Sequence, residues 1–105
     1  MSIVFDVLQE ELDRLKNLYK IYTKKIQVLP KGSISLKKRY NNIYLYLAFR
    51  NGYKVKFKYI GKKDSQAASA IAEKVKQRKE LEMKIKKIRQ EIKRLQKAIH
   101  YGQEK

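Results

Sequence analysis

Apolar residues near the start of the chain recur at Phe5, Leu8, Leu12, Leu15, Tyr19, Tyr22, Ile26 and Leu29, with spacings that alternate between three and four. That spacing keeps them on one stripe of an α-helix and makes an unbroken heptad seam, as in a coiled-coil strand. It predicts a helix over 3–29. Ser2 suits the N-cap, and Asp6, Glu10 and Glu11 suit the positive end of the helix dipole. Pro30 ends the run, because the residue before proline disfavours the α region. A second seam, Leu81, Ile85, Ile88, Ile92, Leu95 and Ile99, predicts a longer helix over 65–101, capped by Asp64 or Ser65 and stopped by Gly102. Upstream of Leu81 the register breaks, with Lys74 and Arg78 where the heptad asks for apolar residues. There Ala67, Ala68, Ala70 and Ala72 suit close packing on something other than a helical seam.

Between the helices the period changes to two. Residues 31–62 are rich in β-branched and aromatic types and carry turn signals at Asn41-Asn42 and Asn51-Gly52. They predict three antiparallel strands, about 33–40, 43–50 and 53–60. A two-residue loop at Asn41-Asn42 sets Lys38 opposite Leu45 and Leu36 opposite Leu47. In the second hairpin a two-residue loop brings lysines opposite the leucines. A three-residue loop, Arg50-Asn51-Gly52, instead sets Leu47 opposite Val55 and Leu45 opposite Phe57, so the bulged turn is expected. One face then carries Ile34, Leu36, Ile43, Leu45, Leu47, Phe49, Val55, Phe57 and Tyr59, with Lys38 as its misfit, and the alanine-rich start of the second helix covers it. The expected fold is α+β: two long helices forming an antiparallel helical hairpin or coiled coil, with a three-stranded antiparallel sheet inserted between them, in a single domain over 1–105.

Charge sharpens this picture. The chain of 105 residues carries a formal net charge of +17. Residues 1–29 contribute +1 and residues 64–105 contribute +6, while residues 30–63 hold ten Lys/Arg and no Asp/Glu. Ten uncompensated cations repel one another unless a polyanion neutralises them, and a merely solvated lysine surface ordinarily carries glutamates as well. The expected solvent face of the sheet bears Ser33, Ser35, Lys37, Arg39, Tyr44, Tyr46, Lys54, Lys56 and Lys58, with Arg50 at the turn. These ten are the expected nucleic-acid-binding residues. Cations neutralise phosphates, tyrosines stack on bases or donate to phosphate, and Arg39 and Arg50 offer the planar fork that reads guanine. DNA is favoured over RNA, and phosphate contacts over base reading.

An alternative is a structural module that binds a protein partner through its helices. Leu8, Leu12, Leu15, Tyr19, Tyr22, Leu81, Ile85, Ile88, Ile92 and Leu95 form the expected seam, and two helices leave much of it half-exposed, so a homodimer is expected. No catalytic constellation, metal set, cofactor motif or small-molecule site is legible. The only histidine, His100, stands at the end of the last helix without a carboxylate in the preceding turns. There is no cysteine, which suits a reducing cytoplasm. Asp6, Glu10, Glu11, Asp13 and Arg14 interrupt the first apolar stretch and argue against a membrane span or secretory leader there.

The run KGSISLKKRYNNIYLYLAFRNGYKVKFKYIGK resembles the core of an uncharacterised small-protein family of archaea and bacteria. The hallmarks are Lys31-Gly32-Ser33, the tyrosine-rich strand Tyr44 to Leu47, and Gly52 through Val55 to Tyr59-Ile60-Gly61-Lys62. In outline it is also similar to the three-stranded arm-binding domains of tyrosine recombinases and to the DNA-binding domains of plant ethylene-response factors. Those likenesses imply a sheet laid in the major groove with one helix behind it. Those modules use a short helix and lack a helical hairpin, and no recombinase catalytic domain follows here, so only the mode of binding carries over.

Overall fold

The computed structural model describes residues 3–103, and Ser2, the expected N-cap, lies outside them. The elements are α1 (Ile3–Gln27), β1 (Ser33–Arg39), β2 (Asn42–Asn51), β3 (Lys54–Lys62) and α2 (Gln66–Gln103). This is the α+β order that the two changes of period predict. Two compact units emerge, one made of α1 with α2 from Leu81 onward, the other of Val28–Glu80.

In the helical unit the heptad seams face inward. Leu12, Leu15 and Ile85 are buried, and Leu8, Tyr19, Tyr22, Leu81, Ile88, Ile92 and Leu95 are half-buried. Arg89 donates to the Tyr19 hydroxyl at 3.2 Å, Lys84 lies 5.8 Å from the Tyr22 ring, and Gly102 packs on the Phe5 ring. Contacts that descend along α2 as they climb α1 make the pairing antiparallel. Gly102 does not stop the helix, which runs on to Gln103. A Cβ there would strike Phe5, so this glycine serves close approach instead.

In the other unit α2 begins on Ser65, whose Oγ accepts from the Ala68 amide at 3.2 Å and donates to the Lys62 carbonyl at 2.7 Å. That is the N-cap geometry which satisfies an otherwise orphaned amide. Arg78, the cation that breaks the heptad, donates to the Leu29 carbonyl at 2.8 Å and so ties down the chain that leaves α1. Val75 is buried and Lys74 is exposed. The apolar stripe therefore steps from Val75 to Arg78 to Leu81, and the heptad resumes where the second unit ends.

The sheet has the order β1-β2-β3, with both pairings antiparallel. The first turn is Tyr40-Asn41 rather than Asn41-Asn42, and Leu36 pairs with Leu45, Lys38 with Ile43 and Arg39 with Asn42. This register matches apolar with apolar and sends Lys38 to the end of the sheet. A slip of two residues leaves every side chain of β1 and β2 on its expected face.

The second hairpin departs further. Its turn is Gly52-Tyr53, with Gly52 at φ 67, and it pairs Leu47 with Lys58, Phe49 with Lys56 and Ala48 with Phe57. A bulge between Leu45 and Tyr46 then pairs Leu45 with Gly61 and Tyr44 with Lys62. The expected three-residue turn is therefore overturned, and β3 presents its faces the other way round. Val55, Phe57 and Tyr59 lie on the outer face, while Lys54, Lys56 and Lys58 lie on the leucine face. The reason is the place of Gly52: a two-residue turn that opens on Gly52 pairs Asn51 with Lys54, and that register puts the lysines of β3 on the leucine face. Leu45 and Leu47 on the central strand and Ala68 and Val75 on α2 are the buried side chains of this unit. On the edge strand, the three lysines stay exposed, as long cationic side chains at a sheet edge can.

Candidate nucleic-acid interface

The outer face is built from rows of cross-strand neighbours. Ser35, Tyr46 and Tyr59 form one row, Lys37, Tyr44 and Lys62 the next, and Ser33, Ala48 and Phe57 a third. Arg50 faces Val55 at one end and Arg39 faces Asn42 at the other. The centre is aromatic. Tyr46 and Tyr59 meet edge to face with centroids 5.4 Å apart, and Tyr44 lies 6.1 Å from Tyr59 at a tilt of 54°. Lys37 folds over this surface, its ammonium 4.2 Å from the Phe57 ring and 4.9 Å from the Tyr46 ring. Both distances are within the range of cation–π attraction.

These rings are open to solvent. Val55, Phe57 and Tyr59 are 54%, 50% and 54% exposed, and Tyr44 and Tyr46 are half-buried. Arg39, Tyr40, Tyr44, Tyr46 and Tyr59 line a shallow depression of about 330 Å3. Folded chains seldom leave a contiguous aromatic patch open to water. No carboxylate stands among residues 30–63 to neutralise the cations around it.

Of the ten residues expected from the sequence, the structure gathers Ser33, Ser35, Lys37, Arg39, Tyr44, Tyr46 and Arg50 on this face. Lys54, Lys56 and Lys58 stand on the opposite face. Sequence reasoning missed Phe57, Tyr59 and Lys62. The signal for them was present but two-sided: in β3 the lysines and the apolar residues alternate equally well. The place of Gly52 in the turn decides which set turns outward. Among the described residues, no three of His, Cys, Asp and Glu gather where they could hold a metal ion, and no helix is long and apolar enough to cross a membrane.

No curated protein and no solved structure matches the chain. Neither comparison supports the likeness to recombinase and ethylene-response-factor sheets. A family model does match, over residues 6–69, which take in most of α1, the whole sheet and the cap of α2. The chain belongs to the family described as a domain of unknown function, DUF6788.

Proposed function

We propose that this protein binds nucleic acid on the outer face of its sheet. One observation carries the reading: an open cluster of Tyr44, Tyr46, Phe57 and Tyr59 is edged by Lys37, Arg39, Arg50 and Lys62, in a stretch without a single acid. Cations attract the phosphate backbone and release its counterions, while ring faces take up bases in any sequence. Arg39 and Arg50 add planar forks for phosphate or for a guanine edge.

The test is a salt titration of binding to labelled duplex DNA, single-stranded DNA, RNA and heparin. A linear fall of log affinity with log salt, together with a preference among the nucleic acids over heparin, supports the reading. Charge reversal at Lys37 and Arg39 is expected to abolish that binding. The same reversal at Lys56 and Lys58, on the other face, is expected to weaken it only as far as lost net charge demands. Equal weak binding to every polyanion overturns it.

A second reading, assembly through the helices, is favoured by apolar exposure in the helical unit. Ile3, Val7 and Met83 are all more than half exposed there. Sedimentation equilibrium tests it, since a dimer that Met83→Asp dissociates is the expected signature.

A further inference from the structure

The nucleic-acid reading leaves the ligand's strandedness open, and three features of the outer face decide it. The first is the balance of charge. With Lys54, Lys56 and Lys58 turned to the other face, four cations remain beside the aromatic cluster: Lys37, Arg39, Arg50 and Lys62. At about 0.7 counterions released per phosphate on a single strand, four contacts give a log–log salt slope of about −3. That is shallow for a protein of net charge +17, and it leaves base stacking on the rings a larger share in the binding.

The second feature is concavity. The Arg39–Tyr59 depression is shallow, about 330 Å3, and offers ring surface for one base to lie against rather than an enclosing pocket. A duplex keeps its base faces stacked on one another and offers only edges and phosphates, so it cannot fill a hollow lined by tyrosines. A splayed base can. Single-stranded ligands are held in this way, by aromatic side chains that take the bases while a basic surface tracks the backbone.

The third feature is Tyr40. It occupies the first turn at φ 55, in the left-handed region, with its side chain 96% exposed. A bulky residue there is strained, where asparagine or glycine is at ease. Its ring covers no core. Such a strained position is where a functional side chain is kept at a cost to the backbone, and Tyr40 is part of the wall of the depression.

We infer that the ligand is single-stranded nucleic acid, with one unpaired base held in the hollow of Tyr40, Tyr44, Tyr46 and Tyr59 and a neighbouring phosphate on Arg39 or Lys37. This rests on the reading of the outer face as a nucleic-acid interface. Lys37 leaves the rings of Phe57 and Tyr46 when a phosphate takes it and a base takes its place.

The experiment is fluorescence anisotropy with a labelled ten-nucleotide single strand as DNA and as RNA, its duplex, and the same strand with its central bases removed as abasic sites. At 0.15 M salt the single strands are expected to bind at least tenfold tighter than the duplex. Abasic substitution is expected to cost about tenfold. Tyr44→Leu and Tyr59→Leu are expected to lose about tenfold each, and the Tyr44→Phe and Tyr59→Phe variants to retain binding. Tyr40→Asn is the decisive variant, since relief of backbone strain keeps it at least as stable as the parent while its binding falls several-fold. A duplex that binds as tightly as the single strand, or an abasic strand that binds as well as the intact one, overturns the inference and leaves the nucleic-acid reading standing. Failure of every nucleic acid to bind overturns both.

Discussion

The two units of the molecule use aromatic residues in opposite ways. In the helical unit, Tyr19 and Tyr22 lie half-buried in the seam and meet cations of the facing helix, Arg89 and Lys84. Those contacts are internal: they help hold one helix to another. In the sheet unit, Tyr44, Tyr46, Phe57 and Tyr59 crowd together on the open side of the sheet, and Lys37 rests on them from the same side. The same residue types thus serve cohesion in one place, at 5.8 Å, and lie closer still, at 4.2 and 4.9 Å, on a surface open to exchange in the other. A cation over a ring is therefore not evidence of a binding site by itself. What distinguishes the sheet is that Phe57 and Tyr59 stay half exposed even with Lys37 lying over the cluster.

The largest expected effect separates the two faces of the sheet. Leu47 is 7% exposed and Phe57 is 50% exposed. Leu47→Ala is expected to cost about 2–4 kcal/mol, as for a core leucine whose cavity does not collapse. Phe57→Ala is expected to cost about 1 kcal/mol or less. Urea unfolding followed by circular dichroism reads both. Were the two losses equal, Phe57 would have to be packed as a core residue, and the open face would be lost as a candidate interface.

The backbone supplies the next test. Gly32 has φ 116, and a Cβ there would meet the Ala48 carbonyl of the neighbouring strand. Gly52 has φ 67, with open space where its Cβ would go. Gly32→Ala therefore combines conformational strain with a collision against backbone that cannot swing aside, and is expected to cost about 2–3 kcal/mol. Gly52→Ala carries the conformational penalty alone, about 1 kcal/mol. Equal costs would mean that the start of β1 can move away from Ala48, and with it the row that carries Ser33.

These positions also show what was legible in the residues themselves. Both helices could be read because a heptad is a one-sided pattern. Leu12 and Leu15 leave no choice of face, and Ser65 marks an end by its own chemistry, whereas α1 stops at Gln27, two residues short of the end expected from Pro30. The pairing of β1 with β2 was read two residues out of register, but with each side chain on its proper face. The face of β3 was read backwards. In Lys54-Val55-Lys56-Phe57-Lys58-Tyr59 the alternation is perfect and the sides are interchangeable. Turn chemistry is decisive only if Gly52 is assigned the right place in the loop, and it stands first in a two-residue turn, not last in a three-residue one. The assumption that apolar residues must share the leucine face then misplaced three lysines and hid Phe57 and Tyr59 from the candidate site. Seven of the ten expected residues survive on one face because β1 and β2 supply them.

The smallest effect belongs to the helical unit and bounds how much its surface charges contribute. Arg14 donates to Glu11 one turn away, with Nε 2.9 Å from the carboxylate, and this hydrogen bond holds the Glu11 carboxyl below the usual glutamate range. A folded-state value below the unfolded one stabilises the fold above the ordinary carboxylate range. That contribution fades as the pH falls through the folded value. The pair lies at the surface with both side chains about half exposed, so side-chain entropy and screening consume most of its attraction. Glu11→Gln is expected to lower the melting temperature slightly at pH 7 and low salt, and the difference is expected to vanish at pH 3 or in 1 M salt. A larger loss that survives salt would show that Glu11 also orders the turn beneath Leu12 and Leu15. The helical unit would then depend on its acids, where the stretch 30–63 that holds the sheet has none.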